Sequence, residues 1–523
     1  MAPFPNKYIP PAHSIAQWGK EKQMSSTIFE STITELHDQI AADNLTVNEV
    51  VEYYIERIET YDSDGPELNS VITLNPNARE RAAKLDEAFA ENGPVGSLHG
   101  IPILAKDQVS TKEMVTTYGS EAFEDFVPSE DATIVKYLRD AGAIILGKTN
   151  MPDWAAGFVG YSSVLGQTKN PYALDRDPGG SSAGTAAGVA ANFATVGIGE
   201  DTGGSIRVPA SCCNLYGLRP TTGLVSRTGL SPLVTRQDTA GPMARTVEDL
   251  ARLFDVLTGF DPSDERSAAN RMSSPQNYDL TSLGESSLEG ARLGVLRQVF
   301  GDTNDRRAEP VTTTVEDALN TMTEAGAELV DPVSLPKLDQ QLSLSSLHEL
   351  HPRYDINEFL QELSDPPADS IEELFRTGAY HEALELFKNI ADGPEDPTEE
   401  PNYWGSVAAQ EALRESILYL LAKYDLDALV FPDVQVGPVK YADYHSGAVT
   451  REDYPVNTVI ASQSSCPAIS MPAGFTDDGL PVGIELLGQP NSEGLLLELA
   501  AGYERAAETR YPPESTRQLD HGS

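Results

Sequence analysis

Short apolar strands alternate with amphipathic helices along most of this chain, and that alternation limits the fold more than any other feature. The clearest unit runs from a predicted helix over 131–140, which ends at Gly142, into a strand over 143–146. Apolar strands that alternate with helices are typical of a sheet covered on both faces. The sequence therefore predicts an α/β fold with one central mixed sheet. Further strands are predicted at these apolar runs: 101–105, 194–198, 293–296, 427–431, 468–471 and 481–487.

Several predicted helices begin at residues suited to cap them. Thr46 and Glu49 have capping-box spacing, and the apolar stripe that follows predicts a helix from Thr46 onward. Thr246 is placed to cap a second helix, which Gly259 closes. Further helices are expected over 311–325 and 492–507.

Composition and periodicity along the sequence predict one large domain over 27–510. Residues 1–26 are rich in proline and lack periodicity, so we expect a loose N-terminal arm. Residues 335–425 combine acidic helices with proline pairs and an acidic loop, which indicates a helical insertion and not a separate catalytic domain. Residues 511–523 form a polar tail.

Charge and apolar content exclude two classes of protein. The chain has 80 Asp plus Glu against 37 Lys plus Arg, a formal charge of −43, and 40% of its residues are hydrophobic. That apolar content excludes general disorder, and the charge argues against binding nucleic acid directly. The excess acid predicts a solvated, halophilic surface suited to high salt, although an ordinary acidic protein is the alternative.

Cysteine usage and apolar runs bear on the compartment. Cys212, Cys213 and Cys466 are too few and too badly spaced for a disulfide framework, which favours a reducing cytoplasm. The N-terminus lacks the apolar region of a signal peptide, and no run of 18 apolar residues occurs. We therefore expect a cytoplasmic protein that does not associate with membranes.

A nucleotide-binding pattern occurs in the wrong context. Gly142, Gly147, Lys148 and Thr149 satisfy the P-loop spacing. A P-loop needs a strand before it and a helix after it, whereas here a helix precedes, the spacer is strand-like and Pro152 follows. The context therefore argues against a P-loop. A P-loop-like nucleotide-binding protein is the alternative from a different functional class.

Two serine patterns also fail their context tests. Residues 180–184 match the nucleophile elbow, but the polar run 175–179 cannot be the strand that an elbow requires. Ser334 and Lys337 have Ser-x-x-Lys spacing, but Pro336 between them favours a loop. No Cys or His cluster has metal-ligand spacing, so no metal is expected.

The most informative segment spans 177–220 and has two serine-bearing turns rich in glycine. Glycine pairs let backbone amides converge, so residues 201–205 could form an oxyanion hole that ends on a hydroxyl. A glycine-rich turn with serine as a helix cap is the alternative. Composition leaves both open.

These residues resemble the amidase signature family, and the resemblance covers nearly the whole chain. The matching motifs are many, and they keep one order along the sequence. They are 100–107, 141–150, 179–183, 199–210, 217–221, 238–246 and 470–475. The resemblance also explains the P-loop and elbow patterns as ordinary parts of the family's sequence.

The resemblance implies an amide hydrolase without cofactor that uses a Ser–Ser–Lys triad. Lys106 matches the base, Ser181 the bridging serine after a cis peptide bond, and Ser205 the nucleophile. The amides expected to hold the oxyanion belong to Thr202, Gly203, Gly204 and Ser205. Asp201 and Arg207 match residues that support this loop.

The implied chemistry needs Lys106 as a neutral amine, because an ammonium group cannot accept a proton. Burial behind the strand over 101–105 would lower its pKa in that direction. Ser181 would then relay the proton of Ser205. An ion pair between Lys106 and Asp107 is the alternative role for this lysine.

The motifs around 166–176 and 238–246 look more like peptide-amidase-type members than the glutaminase (A) subunit of a tRNA-dependent amidotransferase. Val208 also departs from the Gln expected in that subunit. Asp153 and Trp154 are candidates for the mouth of the substrate pocket, although packing explains Trp154 equally well. We expect the 335–425 insertion to wall a pocket for a small-molecule amide. The sequence leaves open whether the chain acts alone, as a homodimer or within an amidotransferase complex.

Overall fold

The computed structural model describes residues 24–268, 287–302, 304–449 and 454–519. The predicted N-terminal arm lies outside the described residues except for 24–26, which are helical, and residues 520–523 of the predicted tail also lie outside them. The strands are β1 Val71–Leu74, β2 Pro102–Lys106, β3 Ile144–Thr149, β4 Tyr161–Ser162, β5 Gly166–Gln167, β6 Val196–Glu200, β7 Tyr216–Arg219, β8 Ala240–Ala244, β9 Arg292–Val295, β10 Glu328–Val330, β11 Ala428–Pro432, β12 Ala468–Phe475 and β13 Pro481–Leu487.

Helices occupy most of the chain between the strands. The capping box predicted at Thr46 is present, since its hydroxyl accepts from the Glu49 amide while the Glu49 carboxylate accepts from the Thr46 amide. The helices are α1 Ile33–Ala41, α2 Val47–Ile58, α3 Ala78–Asn92, α4 Thr133–Asp140, α5 Ala183–Ala190, α6 Arg207–Cys212, α7 Val247–Leu257, α8 Glu309–Glu324, α9 Leu338–Ser345, α10 Pro352–Glu362, α11 Ile371–Thr377, α12 Glu385–Ala391, α13 Tyr403–Tyr424, α14 Tyr441–His445, α15 Val459–Ser464 and α16 Glu493–Ala507.

Within the described residues, eleven strands form one mixed sheet in the order β1-β3-β2-β6-β8-β7-β12-β13-β11-β9-β10. The central strands β2, β3, β6, β7, β8, β11 and β13 are buried at every residue, so both faces of the sheet are covered. The predicted α/β fold with a covered mixed sheet is confirmed. Several strands run further than predicted: β3 continues to Thr149 and β12 to Phe475.

The ends of two neighbouring parallel strands place side chains in the candidate site. Strands β2 and β6 pair in parallel, with Ala105 opposite Ile198. Lys106 is the last residue of β2 and Glu200 the last residue of β6, so their side chains reach the same edge of the sheet. In open α/β sheets, ligands bind outside the carboxyl ends of such strands.

Residues 335–425, all of them described, contain helices α9 to α13 and no strand. Apolar side chains between α9 and α13, including Phe359 and Phe387, pack with Tyr118 and Trp154 in a cluster distinct from the main core. Leu338 of α9 and Leu413 of α13 belong to a third cluster, which includes Phe431 of β11. None of the helices in the described ranges combines the length and apolar content needed to cross a membrane.

Candidate active site

At the edge of the sheet, a buried lysine is hydrogen-bonded to a buried serine. Lys106 Nζ donates to Ser181 Oγ over 2.8 Å and also lies 3.3 Å from the backbone oxygen of Glu200. Both side chains are fully buried. The structure thus brings together two residues that stand 75 positions apart in the sequence.

Asp107 does not pair with Lys106. Its Oδ1 lies 3.2 Å from Nζ of Lys148, because successive residues at a strand end point to opposite sides. Lys148 also donates to the Thr116 hydroxyl over 2.8 Å. The alternative of an ion pair between Lys106 and Asp107 is therefore wrong. Lys148 lies within β3, so residues 142–149 do not form a phosphate-binding loop followed by a helix.

The two serine-bearing turns are tied to each other through their backbones. The peptide bond between Gly180 and Ser181 is cis. The amide of Ser182, next along the chain, donates to the backbone oxygen of Ser205 over 3.2 Å. Ser182 Oγ also accepts from the Glu200 amide over 3.2 Å, which fixes the first turn to the end of β6.

Four consecutive amides in the second turn have no acceptor in the described part of the chain. Among the residues the structure describes, the amides of Thr202, Gly203, Gly204 and Ser205 donate to none. The amides on either side do: that of Asp201 to the Thr239 backbone oxygen, and that of Ile206 to the Asp201 carboxylate. Because buried amides are almost always paired, this run is suited to receive an oxygen from a ligand.

The glycines of this turn are required by the close approach of neighbours. Gly204 has φ +134, and a Cβ there would lie 1.9 Å from Thr458 Oγ1. Thr458 Oγ1 in turn donates to the Gly203 backbone oxygen over 2.8 Å. A Cβ on Gly203 would lie 3.1 Å from Nε2 of His348. A side chain at Gly204 would therefore displace the turn.

Buried ion pairs anchor the turn to the sheet. Arg207 Nη2 donates to Asp201 Oδ1 over 3.0 Å, and its Nη1 donates to Glu485 on β13 over 2.7 Å. Arg219 on β7 donates to the same Asp201 oxygen over 2.8 Å. Burial alone would raise the pKa of Asp201, but the two guanidinium groups outweigh it and hold that pKa below its usual value. Arg219 and Glu485 were not among the residues singled out from the sequence.

Lys106 is strongly perturbed by its surroundings. Burial lowers the pKa of Lys106, and the neighbouring Glu200 carboxylate opposes part of that shift. Burial raises the pKa of Glu200, and the charge of Asp238 adds to the effect. The lysine is thereby moved toward the neutral form that can accept a proton.

Glu200 is the contact that sequence reasoning missed. The excess of acid predicts a solvated surface, yet the buried Glu200 Oε2 lies 3.4 Å from Lys106 Nζ. The available signal was positional: Glu200 is an ionisable residue directly after an apolar strand. Its partner could not be identified without knowing that β2 and β6 are neighbours.

A narrow, mostly apolar cavity opens beside Ser205. Thr202, Gly203 and Ser205 form its polar wall. The insertion contributes His348 and Leu386 to the same cavity. The remaining lining residues are Ala155, Gly157, Phe158 and Leu233.

Asp153 and Trp154 are fully buried and do not line this cavity. Trp154 stacks on Tyr118 with ring centroids 5.0 Å apart, so of its two alternatives the structure shows packing. The Asp153 carboxylate accepts from the Ser163 amide over 2.9 Å. Within the described ranges, no group of three His, Cys, Asp or Glu side chains is arranged to hold a metal ion.

Comparisons with known proteins agree on the family. The family model described as Amidase matches residues 49–497. A curated relative from Marinomonas sp., the (A) subunit of glutamyl-tRNA(Gln) amidotransferase, is 34% identical over 91% of this chain and 97% of its own length. The solved peptide amidase from Stenotrophomonas maltophilia is 34% identical, with a TM-score of 0.84 over 93% of this chain and 99% of that one.

The solved (A) subunit of glutamyl-tRNA(Gln) amidotransferase from Thermotoga maritima is similar at 26% identity, with a TM-score of 0.73 over 93% of this chain and 98% of that one. The family model spans most of the chain, and two of these relatives are 34% identical over nearly their whole length. The chain therefore belongs to the amidase signature family.

Proposed function

We propose that the protein hydrolyses the C–N bond of a linear carboxamide to an acid and ammonia or an amine, through an acyl-enzyme on Ser205. The contact of 2.8 Å between Lys106 Nζ and Ser181 Oγ carries this proposal. Lys106 is a buried amine with a lowered pKa, and it contacts Ser181. The turn that carries Ser181 is hydrogen-bonded to the turn that carries Ser205.

In the proposed reaction, neutral Lys106 accepts the proton of Ser181 while Ser181 accepts that of Ser205. Ser205 Oγ then attacks the amide carbon, and the proton returns by the same path to the leaving nitrogen. Water repeats the sequence on the acyl-enzyme to release the acid. Apart from substrate and water, these steps use only groups of the chain itself.

The unpaired amides of residues 202–205 are the proposed oxyanion hole. The negative charge that develops on the carbonyl oxygen would be held by donors that are already oriented. Each such donor is worth about 3–4 kcal/mol in acyl-transfer sites. Asp201 and Arg207 act here as positioning residues, because they hold the turn and do not reach the cavity.

The cavity supports a small apolar acyl group as the part of the substrate next to the reacting carbon. Phe158, Leu233 and Leu386 surround the polar wall at Ser205. We propose that residues 27–510 act as one catalytic domain in which the 335–425 insertion walls this cavity. The likeness to the solved peptide amidase, with a TM-score of 0.84, favours an amide hydrolase of that kind.

The second candidate is the glutaminase subunit of a tRNA-dependent amidotransferase. It is favoured by the name of the curated relatives at 32–34% identity. This candidate predicts a stably isolated partner subunit and glutamine-dependent transamidation. The solved structure that carries this name has the lower TM-score of 0.73, so we place it second.

The proposed setting is a reducing, cytoplasmic and salt-rich one. Cys212, Cys213 and Cys466 are buried free thiols. The net charge of −43 supports a halophilic, acidic surface.

The test is a panel of linear carboxamides, their esters and glutamine against wild type, Ser205→Ala and Lys106→Ala. We expect both variants to lose at least about 10⁴-fold in kcat on the best substrate. Ser446→Ala, at an exposed turn, is the matched control and should keep wild-type activity. Hydroxylamine should intercept the acyl-enzyme as a hydroxamate. Wild-type turnover by Ser205→Ala, or loss of activity on chelation, would contradict the mechanism.

A further inference from the structure

Four polar side chains form a buried cluster behind the proposed triad. Lys106 Nζ lies 3.4 Å from Glu200 Oε2. The other oxygen of Glu200, Oε1, lies 3.2 Å from Thr202 Oγ1, and Thr202 Oγ1 lies 2.6 Å from Asp238 Oδ1. All four side chains are at least 95% buried, so a missing hydrogen bond in the cluster would be costly.

The hydroxyl of Thr202 sits between two carboxyl groups but has a single proton to donate. If Glu200 and Asp238 were both ionised, that proton could serve only one of them. If one of the two carboxyl groups carries a proton, it can donate to the hydroxyl oxygen while the hydroxyl donates to the other. The geometry therefore fits one protonated and one ionised carboxyl group.

The proton belongs on Glu200. Asp238 accepts from the amides of Leu233 and Val234 over 2.9 and 3.1 Å, and such donors stabilise a carboxylate. Beyond Thr202 and Lys106, Glu200 accepts no further hydrogen bond from the described side chains and amides. Asp238 is thus the better anion of the two.

The other charged groups around the cluster do not reverse this order. Asp201 follows Glu200 directly, and its charge is balanced by Arg207 and Arg219. Asp355 on α10 approaches Asp238 and is bonded to His351. The remaining cations on that side, Arg227, Arg236 and Arg266, line the cavity outside the cluster.

We propose that Glu200 binds the proton that Lys106 must give up, and so keeps the amine neutral and ready to act as the base. One N–H bond of the ammonium group breaks and one O–H bond forms on the Glu200 carboxyl group. Both groups become neutral, and the net charge of the pair does not change. This inference rests on the proposed function, since it takes Lys106 as the base; Glu200 is a positioning residue that acts through it.

Glu200 also provides a route for proton exchange. A cavity of about 560 Å³ is open to solvent, and its wall includes Glu200 and Asp238 but not Ser205. Lys106 itself is fully buried. A proton can thus enter or leave the base through Glu200 without crossing the substrate cavity.

The experiment compares wild type with Glu200→Gln, which mimics the protonated carboxyl group. In infrared difference spectra at pH 7, wild type should show the carbonyl stretch of a carboxylic acid that Glu200→Gln lacks. The acid limb of kcat/KM against pH should stay within about half a pH unit of wild type, because Gln and protonated Glu carry the same charge. If Glu200 were ionised and paired with Lys106, that limb would move down by more than about one pH unit, and the inference would be wrong.

The variant Asp238→Asn gives a second test, in which the acid limb of kcat/KM against pH should move upward. Removing the Asp238 charge lets Glu200 ionise beside Lys106, so the acid limb should rise by about one pH unit. The double variant Glu200→Gln/Asp238→Asn should bring it back to the wild-type position or slightly below, because the Asp238 charge also raises the pKa of Lys106 directly; a limb that stays raised would overturn the inference. The infrared readout needs no turnover. If the Glu200 band is present but activity survives Ser205→Ala, the proposed function fails while the protonation of Glu200 stands. The two failures can therefore be told apart.

Discussion

Lys148 Nζ lies 3.2 Å from Asp107 Oδ1 with both side chains fully buried, although the sequence places Asp107 directly beside Lys106. The two lysines end up on neighbouring strands with different tasks. Lys148 is held by Asp107, the Thr116 hydroxyl and a backbone oxygen, whereas Lys106 faces the serine turns. A side chain that fits a nucleotide-binding pattern is thus part of the scaffold.

Replacing Lys148 should destabilise the fold. Lys148→Met leaves the Asp107 carboxylate buried without its cation, which typically costs about 3–5 kcal/mol. We expect that loss in the free energy of unfolding measured with urea. The double variant Asp107→Asn/Lys148→Met should recover part of it. An unchanged urea midpoint in Lys148→Met, or a rise in Tm of wild type on adding ATP, would contradict the structural role.

Most strands follow from local apolar runs, whereas the proposed triad follows from the resemblance of whole motifs to the amidase signature family. The partners of those residues follow from neither. Arg207 meets Glu485 from a position 278 residues away, and Lys106 meets Glu200 across two strands that only the folded sheet makes neighbours. Strand order therefore had to be known before the electrostatics of the site could be derived.

Adding a methyl group at Gly204 should impair catalysis more than folding. A Cβ there would overlap Thr458, so the turn that presents the four amides must shift. We expect Gly204→Ala to lower kcat by about 10²–10³-fold, the effect of losing an oxyanion donor. Steady-state kinetics and thermal unfolding measure the two effects separately. Gly405→Ala is the control, because nothing lies within 4 Å of its added Cβ. Wild-type kcat in Gly204→Ala would show that these amides do not act on the transition state.

Salt should raise both stability and activity. Acidic side chains such as Glu395 and Glu514 are 88% and 87% exposed, and the net charge of −43 makes the compact state repel itself. At 1 M salt the screening length falls to about 3 Å, which removes most of that repulsion. We expect Tm and kcat/KM to rise between low and molar KCl and to fall again on dilution. Choline chloride at equal ionic strength should raise Tm and kcat/KM as KCl does. A rise in Tm and kcat/KM with sulfate salts but not with chloride salts would contradict charge screening as the cause.

The stability of the fold should depend on pH through Asp153. Burial raises the pKa of Asp153 from 3.8 to about 7. Between these two values the unfolded chain loses this proton while the folded chain keeps it. The contribution of Asp153 to stability is therefore full below about pH 4 and falls as pH rises toward 7, by up to about 1.4 kcal/mol per pH unit.

Asp153→Asn removes that dependence, since an amide does not titrate. Urea unfolding of wild type and Asp153→Asn from pH 5 to 8 should show wild type losing stability relative to the variant up to about pH 7 and running parallel to it above. Asp477→Asn, at an exposed turn, is the matched control for the same substitution away from the buried site. A difference between wild type and Asp153→Asn that is constant with pH would mean that Asp153 is ionised in the folded protein, held by the Ser163 amide and hydroxyl strongly enough to offset its burial.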